Sequence, residues 1–107
     1  MRRGDVYWVD FDPTRGGEIQ KRRPAVIVSN SAATRAQNRV QVVPLSSNVA
    51  TVHRWEALVQ VGGAPSKALA DQIRTVAKER LTGRIDTLSP QDLLAVERAI
   101  RVQLDLP

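Results

Sequence analysis

The chain has 107 residues, 42% of them hydrophobic, which is enough apolar material for one core but not two. It contains no cysteine, which excludes disulfides and thiolate metal sites, and no apolar run near the ~20 residues that a membrane helix needs. Its formal charge of +5 comes wholly from the first half: residues 1–54 carry nine Lys/Arg against four acids, and residues 55–107 carry seven of each sign. Met1-Arg2-Arg3 leads into Gly-Asp rather than the apolar core of a signal peptide. The expectation is a soluble cytoplasmic domain spanning 1–107, with a polyanionic partner on the surface built from its first half.

In chain order, Asp5 to Phe11 alternates with apolar residues on both sides, as in a strand covered on both faces. Asp12 to Gly17 is dense in turn formers and ends it. A polar loop follows, with Glu18 and the cations Lys21, Arg22 and Arg23, and Pro24 to Asn30 reads as a buried strand opened by its proline. Ser29-Asn30-Ser31 offers capping oxygens to a short helical turn, Ala32 to Gln37. Val40 to Leu45 is the next strand, and Pro44 within it argues for a strand end, a bulge or an edge.

Residues 52–61 read as a further strand in imperfect alternation, and Gly62-Gly63-Ala64-Pro65 as a loop. Leu69 to Ala77 is apolar and β-compatible but broken at Asp71-Gln72. Lys78 to Leu81 makes one helical turn, and Gly83 to Leu88 a last short strand. The C-terminal helix is the clearest element. Ser89 caps it, Pro90 takes the first helical position, and Asp92 completes the pattern of a capping box. Leu93, Val96, Ile100 and Leu104 recur at helical spacing as a core-facing stripe. The fold class is therefore mainly β with a C-terminal helix, a small, partly open barrel closed by that helix.

Most catalytic sets are missing. The one histidine, His53, cannot form an imidazole pair, and no His/carboxylate cluster has metal-ligand spacing. Gly16-Gly17 lacks the strand–glycine–helix context of a nucleotide fold. What remains is Glu18 and Arg23 near each other in sequence, with Ser46 and Ser47 at another strand end. That set suffices to cleave RNA through its own 2′-hydroxyl: a carboxylate as base, and a guanidinium to neutralise charge on the phosphorane. The same stretch is also what a solvated basic loop before a strand would show.

Three blocks then resemble the MazF/PemK family of toxin endoribonucleases: Asp5-Val6-Tyr7-Trp8-Val9-Asp10-Phe11-Asp12-Pro13, Gly16-Gly17-Glu18, and Arg22-Arg23-Pro24-Ala25-Val26-Ile27-Val28-Ser29. Val43-Pro44-Leu45-Ser46-Ser47 and Ala68-Leu69-Ala70-Asp71-Gln72-Ile73-Arg74 are similar to its later landmarks. The resemblance implies an SH3-like barrel of the CcdB/PemK kind and a homodimer. It implies cleavage of single-stranded mRNA at a short sequence, without metal or other cofactor, leaving a 2′,3′-cyclic phosphate and a 5′-hydroxyl. It also implies an acidic antitoxin of MazE type. By position, Arg23 matches the family's catalytic arginine, Glu18 a carboxylate implicated in some members, and Ser46 a place usually held by threonine. Arg15, Lys21, Arg22, Ser47, Asp71 and Gln72 are the expected RNA contacts.

Two alternatives come from other classes. Gyrase-poisoning toxins related to CcdB share the fold class but rely on an aromatic-tipped tail, where this chain has Leu104-Asp105-Leu106-Pro107. A plain RNA-binding barrel would stack bases on several exposed aromatics, and only Tyr7, Trp8, Phe11 and Trp55 are present, with Trp8 assigned to the core.

Overall fold

The computed structural model describes residues 1–11 and 21–107, Lys21 through its backbone alone. The elements run β1 (Asp5–Phe11), β2 (Lys21–Ile27), α1 (Ser31–Ala36), β3 (Arg39–Ser46), β4 (Glu56–Val61), β5 (Ala64–Leu69), β6 (Arg74–Ala77), β7 (Leu81–Thr87) and α2 (Pro90–Leu104). One-turn 3-10 helices occupy Ala70–Gln72 and Lys78–Arg80. All strand pairs are antiparallel, in the order β4-β5-β3-β2-β1-β7, with β6 on β3. The order does not close on itself, because no ladder among the described residues joins β4 to β7.

Period-two alternation explains the long apolar runs. Val26 and Val43 face one core cluster with Val6, Val59 and Val96, whereas Ala25, Ile27 and Val42 face a second with Val9, Phe11 and Val76. β1 feeds both clusters, as its two-sided pattern requires. α2 covers the first. Ser89 Oγ accepts the Asp92 N–H at 3.1 Å, and Asp92 departs from a full capping box by accepting the Gln60 N–H of β4 at 2.9 Å. The helix packs through Val96 and Ala99; Leu104, expected in the stripe, is 49% exposed one residue before the Asp105 cap.

β2 starts three residues before the expected Pro24 and stops at Ile27. β1 runs on to Phe11, and its edge is satisfied by pairing Asp10 with Arg22 and Phe11 with Lys21. At the other end Asn30 leaves the ladder, and its Oδ1 accepts the N–H groups of Ala32 and Ala33 to start α1. Arg22 and Arg23 are therefore strand residues, not loop residues.

Pro44 does not end β3. One edge of β3 pairs with β2 from Val42 to Pro44. The other edge pairs with β6 from Arg39 to Val42 and with β5 at Leu45 and Ser46. Pro44 falls between those two partners, where a missing donor breaks no ladder.

The strand expected over 52–61 begins only at Glu56, because residues 52–55 turn instead. The Glu56 carboxylate accepts the His53 N–H, the Glu56 N–H donates to the His53 carbonyl, and Lys67 Nζ donates to the Thr51 carbonyl, bonds that hold this segment off the ladder. Gly62-Gly63 is a two-residue hairpin turn with φ of 58° and 81°, and Ala64-Pro65 opens β5, a strand not expected from the sequence. The break at Asp71-Gln72 is one of the 3-10 turns, with β6 beyond it. β7 starts at Leu81 rather than Gly83, and Leu88 leaves it to enter the core.

Candidate active site: two hollows with a shared arginine

β2 crosses the sheet between β1 and β3 with Arg23 opposite Val9 and Ala25 opposite Pro44. Arg23 is half-buried and forms part of the wall of two neighbouring hollows. One, of about 310 Å³, is lined by Trp8, Arg23, Pro24, Leu45 and the three serines Ser46, Ser47 and Ser66. The other, of about 160 Å³, is lined by Phe11, Arg23, Pro44, Gln72 and Arg74. Pro24, immediately after Arg23, holds the arginine backbone extended, so its side chain leaves a fixed point of the strand.

The serines arrive from two strands. Ser46 ends β3, and its Oγ accepts the Asn48 N–H at 3.2 Å, which turns the chain out of the sheet. Ser66 comes from β5, whose Lys67 lies opposite Ser46. Lys67 Nζ also donates to Glu56 Oε1 at 3.2 Å, an ion pair whose side chains are 13% and 8% exposed. Burial alone would raise the Glu56 pKa; the His53 N–H and the hydrogen bond and charge of Lys67 outweigh it and hold the carboxyl below its ordinary 4.5. This pair anchors the 51–55 turn beside the serine hollow.

Of the residues expected in the site, the structure brings together Arg23, Ser46 and Ser47 on one side and Arg23 and Gln72 on the other. Asp71, next to Gln72 in its turn, is exposed and lines neither hollow. Arg22 is exposed but braced: its guanidinium lies over the Trp8 ring, 4.6 Å from the centroid, with Nε donating to Thr82 Oγ1 at 3.4 Å. Glu18 and Arg15 lie outside the described residues, as does the Lys21 side chain.

Seven lining residues were not expected in the site, and four of them, Trp8, Phe11, Ser66 and Arg74, have aromatic or polar side chains. Trp8, assigned to the core, is half-buried and lines the serine hollow, because Arg22 on one face and the hollow on its flank take the place of core contacts. Phe11 and Ser66 carry no sequence signal that separates them from ordinary strand residues. Arg74 belongs to a stretch singled out by resemblance, yet only the pairing of β6 with β3 shows that it reaches the same hollow as Arg23. Its guanidinium lies 5.1 Å from the Phe11 ring centroid. His53 stacks on Trp55 with centroids 4.8 Å apart; both are exposed and line neither hollow.

Residues 2–104 match the family model described as PemK-like, MazF-like toxin of type II toxin–antitoxin system. Among curated proteins, the chain is 39% identical over 115 residues to endoribonuclease MazF9 of Mycobacterium tuberculosis, covering 99% of this chain and 98% of that one. It is 31% identical over 100 residues to the endoribonuclease toxin MazF of Escherichia coli K12, covering 92% and 89%. Among solved structures, a mycobacterial endoribonuclease in complex with its cognate antitoxin superposes with a TM-score of 0.83 at 25% identity, covering 100% and 97% of the two chains. A MazE–MazF crystal structure from Deinococcus radiodurans gives 0.85 at 24% identity, again covering 100% and 97%. The open antiparallel sheet, the C-terminal helix and these matches give one result: the chain belongs to the PemK-like, MazF-like toxins of type II toxin–antitoxin systems.

Proposed function

We propose that this endoribonuclease toxin cuts single-stranded mRNA at a short sequence by attack of the RNA's own 2′-hydroxyl, leaving a 2′,3′-cyclic phosphate and a 5′-hydroxyl and so stopping translation. The observation that carries this reading is the position of Arg23, a half-buried guanidinium in the wall between a hydroxyl-lined hollow and a second cationic one. A phosphate seated there meets a rigid two-pronged donor, and the Ser46 hydroxyl can hold one of its oxygens. Arg23 stabilises charge on the phosphorane rather than donating a proton, because its pKa lies above about 12. Glu18 is the proposed base. Ser47, Gln72, Asp71, Arg22, Lys21 and Arg15 contact the RNA on either side. The residues 1–107 act as one domain, needing neither metal nor other cofactor.

The active form proposed is a cytoplasmic homodimer, held in check by an acidic antitoxin of MazE type. Related solved structures include a mycobacterial endoribonuclease in complex with its cognate antitoxin and a MazE–MazF pair from Deinococcus radiodurans, which supports this reading.

Mapping cuts on a long RNA in excess chelator, with analysis of the ends, tests the reaction. Cuts at a recurring short sequence with cyclic-phosphate ends are expected, and a single 2′-deoxy substitution at the cut position should abolish them. Loss of activity in EDTA, or equal cutting of all-DNA strands, would overturn the mechanism.

A further inference from the structure

Two exposed aromatic rings stand on the turn that leads into β4, close to the serines but with no part in either hollow. We propose that the His53–Trp55 stack is a platform for one unpaired base of the RNA, flanking the cut on the side of the serine hollow. The proposal rests on the RNA-cleaving reading above and adds to it a stacking subsite and the two residues that form it.

The ring centroids are 4.8 Å apart and the planes within 10° of parallel, so each ring gives one face to the other. Trp55 nonetheless keeps 39% of its surface in solvent, and His53 is exposed as well. An exposed aromatic standing alone is ordinary. This pair differs because its turn is fixed. The His53 N–H donates to Glu56 Oε1, and the Glu56 N–H to the His53 carbonyl, both at 2.9 Å. Glu56 is held in turn by Lys67 Nζ, which also donates to the Thr51 carbonyl. The stack is therefore organised before any ligand arrives, and a base added to it does not have to order the turn first.

The same bonds place the platform. Lys67 lies opposite Ser46 in the β3–β5 ladder, and its neighbour Ser66 lines the serine hollow. Through Thr51 and Glu56, that one lysine ties both ends of the turn to the strand position facing Ser46. Arg54, between the two rings in sequence, instead lines a separate hollow between β4 and α2. Among the described residues no hydrogen bond ends on either ring, so flat π-surface is what the pair offers. An unpaired nucleobase matches that offer, since every base has a π-face and stacking tolerates sequence. A strand seated at the serines carries its next bases past this turn. An acidic antitoxin segment and a second copy of this chain are the competing occupants.

The test uses a short RNA carrying one cleavage sequence, made uncleavable by a 2′-deoxy sugar at the cut, and versions with one abasic nucleotide at a time. With the wild-type chain, one abasic position flanking the cut should raise Kd about 5–150-fold, the scale of stacking one base. Trp55→Ala should raise Kd to the same degree on the intact RNA, and combining the two should add almost nothing. Trp55→Phe should recover most of the loss, and His53→Ala should lose less than Trp55→Ala. A 2-aminopurine at that position should be dimmer with the wild type than with Trp55→Ala. Thermal melts should match the parent, because the turn's hydrogen bonds use the His53 backbone and Glu56 rather than either ring.

Parental RNA affinity in Trp55→Ala would overturn the proposal, as would penalties that add fully at every abasic position. So would a variant that weakens only an acidic antitoxin peptide, or only the association of two copies in sedimentation. Should Trp55→Ala not fold, His53→Ala decides the matter, since its loss must couple to the same abasic position. Failure of the wild-type chain to cut the corresponding all-ribose RNA would instead sink the cleavage reading itself, so the two failures are distinguishable.

Discussion

The guanidinium of Arg22 lies over the indole of Trp8, 4.6 Å from its centroid, so that adjacent arginines on one strand have different surroundings. Arg22 braces an aromatic wall of the serine hollow, while Arg23 is part of that wall. Arg22→Ala should therefore weaken RNA binding by more than a screened surface charge would, because it also frees Trp8. Titrations at two salt concentrations check this: low salt should restore part of the loss in Arg22→Ala, and Arg22→Lys should restore more, since a cation on the ring is kept.

Arg23 should behave differently. Arg23→Ala should lower the single-turnover rate about 10²–10³-fold at saturating RNA, the usual effect of removing one preorganised donor. Arg23→Lys should fail nearly as badly, because an ammonium cannot make the two-pronged contact. Thermal melts of both variants should stay close to the parent, as Arg23 sits on the rim of the core rather than in it. Equal and small kinetic effects at Arg22 and Arg23 would make both merely part of a solvated basic surface.

The Glu56–Lys67 pair predicts a pH dependence of stability. Because the folded state holds the Glu56 carboxyl below 4.5, its contribution is fully present above that value and fades as pH falls through the lower, folded-state pKa. Denaturant melts from pH 7 down to 3 should show a loss at the acid end that Glu56→Gln lacks in part. Lys67→Met at pH 7 should cost about 1.5–3 kcal/mol, since among the described residues it leaves a nearly buried carboxylate with only the His53 N–H.

Competition should reveal the shared surface. An acidic peptide from a MazE-type antitoxin and a single-stranded RNA should displace one another, with both affinities falling as salt rises. Fluorescence anisotropy with a labelled RNA and an unlabelled peptide gives the answer directly. A ternary complex at full affinity would place the two ligands on separate surfaces.

How much of this was legible in the sequence differs from element to element. The C-terminal helix and β1 were readable because cap, proline and periodicity all agree locally. β5 was not, since Ala-Pro-Ser-Lys-Ala-Leu carries no strand signature and is held by a glycine turn and by β4. The extension of β2 back to Lys21 answers to the unpaired edge of β1, which no local rule reveals. Likewise Arg23 and the serines were marked by residue type and order, whereas Arg74 joins them only through the pairing of β6 with β3, and Phe11 through the pairing of β1 with β2. Whether Glu18 acts as base was a chemical expectation, and that residue lies outside those described.

Pro44 sits where β3 passes from β6 to β5 and in the lining of the smaller hollow, and this has a consequence for inhibitor design. The hollow lies where β3 changes partners, so strand pairing positions Pro44 in its lining while Phe11, Arg23, Gln72 and Arg74 complete it. A forked scaffold, with one acidic arm toward Arg23 and one aromatic arm against Trp8, would reach from one hollow into the other.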